Sequence, residues 1–358
     1  MIEDYYIREI ALSYPPERTA LSEFLRAHEL RFEEDIELAY GVYDEEEVLH
    51  GCGCAAGALL KCFALDASLR GHNMLGALVS ELLQNRFAAG ISELFVITRR
   101  HNETLFLSCG FHVLAHTEQV SMLENRAQGP ERYAAAIRAA APSDFKVISE
   151  KAAADAGHGP QIGAIVMNCN PFTLGHRALI AYAAARCDFL YLFVVEEDRS
   201  MFSSAVRMEL VKAATGDLKN VYPVFSGPYM ISVSTFPSYF LKAGEDAAAL
   251  QCELDITLFA ERIAPALNIT VRFAGEEPLD PTTARYNRAM RELLPARGIQ
   301  FTEIPRVSDA SAPISASRVR ALLKKQGWTE TLRTLVPQST AAYLERTFPP
   351  KEEESLTD

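Results

Sequence analysis

No C-x-x-C pair occurs among the seven cysteines at 52, 54, 62, 109, 169, 187 and 252, which removes the usual zinc and dithiol signatures. They are odd in number and mostly lie in apolar surroundings, so they read as buried free thiols and not as a disulfide framework. Long apolar runs are missing as well. The longest, such as Cys52 to Leu60, fall well short of the roughly 20 residues that span a bilayer. The acidic start Met1-Ile2-Glu3-Asp4 lacks the basic n-region of a signal peptide. A cytoplasmic protein without a membrane partner is the expectation. Positive charge is short too: Lys and Arg total 35 against 47 Asp and Glu, a net charge of −12, with no basic stripe to follow a phosphate backbone. Nucleic acid is not an expected partner.

What is present suffices for a folded chain. Of 358 residues, 49 % are hydrophobic and 23 % charged, ordinary values for globular proteins. At about 150 residues per domain the length suggests two domains. Alanine runs at 134–136, 139–141 and 152–154 fall between two halves. The first part of that stretch reads as a helix, and the rest, ending in Gly157-His158-Gly159-Pro160, reads as a linker. The expected division is a domain at 1–128, a helix and linker at 129–160, a second domain at 161–347 and an acidic tail at 348–358. In the first half, strands are expected at 38–43 and 53–63, a helix at 75–88, a strand at 94–98 and a short helix at 103–108. In the second, strands at 162–167, 189–195, 221–225, 269–274 and 299–304 alternate with helical patterns that begin near Gly175, Ser203, Ala247, Pro281 and Ser315. That alternation predicts a parallel sheet covered by helices, with ligands beyond the carboxyl ends of its strands.

Two segments carry chemistry-bearing residues. In the run from Ile162 to His176, a buried strand passes through a polar loop into a helix. Gly175 permits close backbone approach, and His176 arrives where the first free N–H groups of a helix favour an anion. In Ile314-Ser315-Ala316-Ser317-Arg318-Val319-Arg320, Ser315 or Ser317 can cap a helix while Arg320 offers a fixed fork of donors to phosphate. Glu196, Glu197 and Asp198, after the second strand of this half, read as magnesium support, an arginine partner or a solvated acidic loop.

Together the two segments resemble the paired H-x-G-H and I-S-S-T-x-x-R signatures of the nucleotidyltransferase superfamily, with Thr173 where the first histidine stands. The wording of 166–176 is similar in particular to the citrate lyase ligases, as are 193–202, 235–242, 275–278, Tyr286-Asn287 and 314–320. The resemblance covers nearly all of 161–346. It implies an AMP-forming ligase that activates acetate with ATP and acetylates the prosthetic-group thiol on the acyl carrier subunit of citrate lyase, a group derived from dephospho-CoA. It implies an ATP site at Met167, Asn168, Asn170, Pro171, Phe172, Thr173, Gly175, His176, Glu276, Ile314, Ser315, Ser317 and Arg320. Of these, His176, Ser317 and Arg320 act on the phosphates, whose charge Mg2+ spreads, and no protein ligand to the metal is assigned. The first half resembles a GNAT-type acetyltransferase, in which a glycine loop before the long helix offers amides to a CoA-like ligand. Here Arg70, Gly71 and Gly76 are the candidate contacts. The fold expectation is therefore α/β: a GNAT-like α+β domain followed by a Rossmann-like parallel-sheet nucleotidyltransferase domain. Two other functions stand beside the main one, an adenylyltransferase that builds a nucleotide cofactor and a non-catalytic nucleotide or acyl-CoA sensor. Thr173→His is expected to be tolerated or only moderately harmful, because the superfamily places a larger donor there. A fragment starting near Gly159 is expected to fold.

Overall fold

A computed structural model describes residues 5–69, 71–154, 159–196, 200–230, 236–277, 280–306 and 313–350. The chain divides into two compact units, one comprising 1–130 and 231–258, the other 131–230 and 259–358.

The first unit contains β1 (Tyr6–Glu9), α1 (Pro15–Ala27), β2 (Leu38–Tyr43), β3 (Leu49–Ala56), β4 (Leu59–Leu65), α2 (Met74–Ala88), β5 (Phe95–Arg99), α3 (Glu103–Ser108), β6 (His112–His116) and β7 (Val120–Glu124). The strands form one sheet in the order β1-β2-β3-β4-β5-β7-β6. Every neighbouring pair is antiparallel except β4 with β5. The single strand expected over 53–63 is instead a hairpin, turning at Gly57 with φ of +54°. Alanine on either side of that glycine kept the run apolar and hid the turn, since only one residue of turn-forming type marks it. Val79 and Leu82 of α2 are buried against Leu38, Leu60, Val96 and Leu123 of the sheet, and each such side chain removed from water contributes about 1.5–3 kcal/mol.

β4 and β5 pair only at Leu59 with Phe95 and Leu60 with Val96. Past that point the buried phenol of Tyr239 donates to the Ile97 carbonyl at 3.4 Å. Its own carbonyl accepts from the Arg31 N–H at 3.0 Å, and Ser238 Oγ donates to Glu33 at 2.8 Å. Residues 236–246 thus complete the first unit, although the sequence-based division keeps them in the second half. Their local pattern carries no sign of a partner so distant along the chain.

The rest of the chain supplies α4 (Gly129–Ala140), α5 (Ser143–Ala154), β8 (Ile162–Met167), α6 (Leu174–Ala184), β9 (Phe189–Val194), α7 (Ser204–Thr215), β10 (Val221–Phe225), α8 (Ala247–Leu258), α9 (Ala264–Leu267), β11 (Val271–Gly275), α10 (Pro281–Leu293), β12 (Gln300–Ile304), α11 (Ala316–Gln326), α12 (Glu330–Arg333) and α13 (Gln338–Thr347). Helix α8 belongs to the first unit, and a π turn at Phe259–Ile263 separates it from α9. The expected linker is helical through Ala154. The buried ring of Phe145 meets Tyr191 edge-on at 4.8 Å, a tertiary anchor of the kind that makes a short helix stable. Of the expected linker, 155–158 lie outside the described residues, as do 351–358 of the expected tail.

The second sheet is wholly parallel in the order β10-β9-β8-β11-β12. The chain runs outward from β8 to β10, then restarts on the other side at β11. The strand order therefore reverses between β8 and β11, and the crevice at their carboxyl ends is where such sheets bind ligands. β9 is buried along its whole length, as strands covered on both faces are. None of the seven cysteines is in a disulfide and five are buried, as the sequence led one to expect. Among the described residues no helix is long and apolar enough to cross a membrane.

Candidate functional site

Beyond Met167 the chain leaves β8 through a loop that ends at the start of α6. Thr173 is extended, with φ of −124°, and caps the helix. Its Oγ1 accepts from the His176 N–H at 3.3 Å, and the imidazole Nδ1 of His176 accepts from the Thr173 N–H at 3.0 Å. A backbone N–H can only donate, so Nδ1 carries no proton, and a neutral ring then holds its hydrogen on Nε2. Burial depresses the pKa of His176 to about 4, helped by the charges of Arg306 and Arg320. At neutral pH the side chain is therefore an uncharged Nε2–H donor at a helix start. Thr173 itself is 1 % exposed; its hydroxyl serves the cap and leaves little room for a larger side chain.

The second motif meets the first through Gly175. A Cβ added there would stand 2.8 Å from the Ile314 carbonyl oxygen, so the close approach that the glycine permits is to the backbone just before α11. Ser315 caps α11, its Oγ accepting from the Arg318 N–H at 3.1 Å. Arg320 donates to the Asn170 carbonyl and, at 3.1 Å, to Ser317 Oγ. The starts of α6 and α11 are thereby held side by side beyond the carboxyl end of β8, an arrangement in which two helix starts and their dipoles can serve one anion.

The other residues anticipated for the nucleotide divide by burial. Cys169 and Phe172 are packed in the core with Met167, so the side chains of Met167 and Phe172 are closed to a ligand. Pro171 is buried, Asn168 exposed, and Asn170 Oδ1 accepts from the Phe202 N–H at 3.3 Å. Glu276 is exposed, and its N–H ties the end of β11 to the Ile304 carbonyl of β12 at 2.8 Å. Glu196 accepts from the Gly227 N–H at 3.0 Å, while Glu197 and Asp198 lie outside the described residues. In the first unit, Gly71 has φ of +83° with open space around it, and a Cβ on Gly76 would stand 2.7 Å from Asn73 Oδ1. Arg70 lies outside the described residues.

Two arginines that the motifs did not mark also bear on the site. Arg306, two residues past β12, pairs with Glu277 and adds its charge to the surroundings of His176. Arg207 of α7 is fully buried, and its guanidinium bonds to Asn168, Phe202 and Val195. Neither has a short-range signature. The cue for Arg306 was its place just beyond a strand's carboxyl end; for Arg207 there was none, since an arginine in an amphipathic helix is ordinarily a surface residue.

A model of the citrate lyase ligase C-terminal domain matches residues 162–344. A [citrate [pro-3S]-lyase] ligase of Klebsiella pneumoniae is 40 % identical over 92 % of this chain and 93 % of its own length. One from Haemophilus influenzae is 39 % identical over 90 % of this chain and 93 % of its own. One from Escherichia coli is 38 % identical over 91 % and 89 %. Among solved structures, a GNAT-family acetyltransferase from Staphylococcus aureus aligns with 34 % of this chain and 99 % of its own at 11 % identity and a TM-score of 0.29, a score too low to carry an argument. With the matched domain covering the parallel-sheet site and the relatives covering both units, the chain belongs to the citrate lyase ligase family.

Proposed function

We propose that this protein is an AMP-forming ligase that uses ATP to activate acetate and then acetylates the prosthetic-group thiol on the acyl carrier subunit of citrate lyase. Its family membership supports the overall reaction. The observation that supports the nucleotide half is the joining of the α6 and α11 starts through Gly175 and Ile314, with the neutral His176 and Arg320 beside them.

In the first step an acetate oxygen attacks the α-phosphorus of ATP, a P–O bond forms, and the bond to the departing pyrophosphate breaks. Negative charge gathers on the phosphate oxygens. His176 Nε2–H, the Ser317 hydroxyl, the Arg320 guanidinium and the helix N–H groups are donors fixed beforehand for that charge, which is where such donors lower a barrier. Mg2+ bound with the nucleotide would spread the charge of the phosphates, which commonly hold such an ion together with water and one or two carboxylates. In the second step the carrier thiolate attacks the acetyl carbonyl, a thioester forms and AMP leaves. The first unit, whose loop at 69–76 resembles the glycine loop of a GNAT-type acetyltransferase, is assigned to the CoA-like arm, with Arg70, Gly71 and Gly76 as its contacts. The reading places the enzyme in the cytoplasm.

The test is a complete reaction. Full-length protein, ATP, magnesium, acetate and prosthetic-group-bearing carrier should give acetylated carrier, seen by mass spectrometry, with AMP and pyrophosphate in equal amounts. Unmodified carrier, or ADP as the product, would contradict the proposal.

A further inference from the structure

Arg207 places a permanent cation, fully buried in α7, beneath the loop that leaves β8. Its Nη1 donates to the Asn168 carbonyl at 2.8 Å and to Asn168 Oδ1 at 2.9 Å, and also to the Val195 carbonyl at the end of β9. Its Nε donates to the Phe202 carbonyl at 3.1 Å. One guanidinium thus joins three chain segments at the carboxyl end of the sheet. The bond to the Asn168 side chain has a further consequence. A guanidinium has donors and no acceptor, so the amide of Asn168 must turn its oxygen toward it. Ser200 Oγ lies 3.3 Å from the same Oδ1, to which its hydroxyl donates in that orientation. The NH2 of Asn168 is left at an exposed position, where among the described residues it meets no acceptor.

We infer that Arg207 is a positioning residue that locks the amide of Asn168, so that its two N–H groups face an anionic oxygen of the reacting pair, on the nucleotide α-phosphate or the attacking carboxylate. The inference rests on the adenylation reading, which already counts Asn168 in the ATP site, and adds how its amide is held and aimed. It gives the loop after β8 a chemical role distinct from that of the helix starts. Donors on the nucleotide side come from α6 and α11, whereas this one comes from the strand end. Asparagine is suited to the position for a reason that aspartate would defeat. Aspartate could accept the same bonds from Arg207 and Ser200 and add an ion pair, yet its outer oxygen would repel an anion.

Asn168→Asp and Asn168→Ala therefore separate a donor from a strut. A purely structural Asn168 predicts that Asp works at least as well as Ala, since Asp keeps the bond to Arg207. The donor predicts the reverse. Asn168→Asp should melt no lower than wild type and lose acetate-dependent pyrophosphate exchange by about 100-fold or more, a larger loss than Asn168→Ala shows. In Asn168→Ala, a rise in the KM of ATP alone identifies the α-phosphate as the acceptor, and a rise for acetate alone identifies the carboxylate. Arg207→Lys keeps the charge without the fork; it should raise the same KM, and little further when combined with Asn168→Ala. Asn168→Asp with activity within about twofold of wild type, or above that of Asn168→Ala, would overturn the inference. Calorimetric titration of wild type and Asn168→Asp with ATP and with acetate keeps the two questions apart. If wild type shows no acetate-dependent exchange, the adenylation reading fails, while weaker binding of either anion by Asn168→Asp still supports the donor and unchanged binding of both still refutes it.

Discussion

The neutrality of His176 has consequences for pH. With its pKa lowered from 6.5 to about 4 in the fold, the unfolded chain binds a proton between those values that the folded chain does not. Stability should therefore fall as pH drops from 6.5 to about 4, then level off, and His176→Gln should flatten that slope in melting temperature measured without nucleotide. For the same reason no decline in rate between pH 8 and about 6 should trace to this residue. His176→Ala should lower acetate-dependent pyrophosphate exchange by about 100-fold, the loss usual for one preorganised donor. The structure changes the expectation for Thr173. At 1 % exposure and with its hydroxyl in the helix cap, Thr173→His should cost about 1 kcal/mol for the cap and about 1–3 kcal/mol for overpacking, and melting should show it. The places of His176 and Ser315 at helix starts were legible in sequence because a cap and a helix start leave a local signature. Arg207 and Arg306 were not, since what they touch lies on other strands and loops.

At the scale of elements, the candidate site is the junction of two helix starts, and Gly175 sets their spacing. Gly175→Ala would put a Cβ against the Ile314 carbonyl, a backbone atom that cannot swing aside. The helix starts should part, with about 1–3 kcal/mol of lost stability and a raised KM for ATP. A Cβ on Gly275, at the end of β11, would meet only Leu179 at an ordinary 3.6 Å, so Gly275→Ala should melt close to wild type. The two substitutions measured side by side decide whether spacing or mere loss of glycine matters. The five parallel strands were readable because each is an apolar run between helical periods. Where the reading failed, in the hairpin at Gly57 and the helix over 143–154, the deciding information was tertiary: a turn hidden in an apolar run, and Phe145 seated on Tyr191.

For the whole molecule, the two units are not consecutive in sequence. Tyr239, Phe240, Leu250 and Leu254 are buried in a segment that belongs to the first unit. A fragment starting near Gly159 would carry that segment without its sheet. It should self-associate on size exclusion, unlike the full chain; a monodisperse monomer would show that the segment finds other cover. No pattern in the sequence announced this, because the partners of 236–246 lie far upstream, at Arg31, Glu33 and Ile97. The proposed chemistry is therefore best tested in the intact chain. The central claim is that the parallel-sheet site joins acetate to the α-phosphate of ATP and releases pyrophosphate reversibly. The direct measurement is exchange of labelled pyrophosphate into ATP by the full-length protein, with and without acetate and with no carrier present. Exchange that requires acetate and nearly vanishes in His176→Ala is the predicted result; exchange that ignores acetate, or none at all from protein that binds ATP, would contradict it.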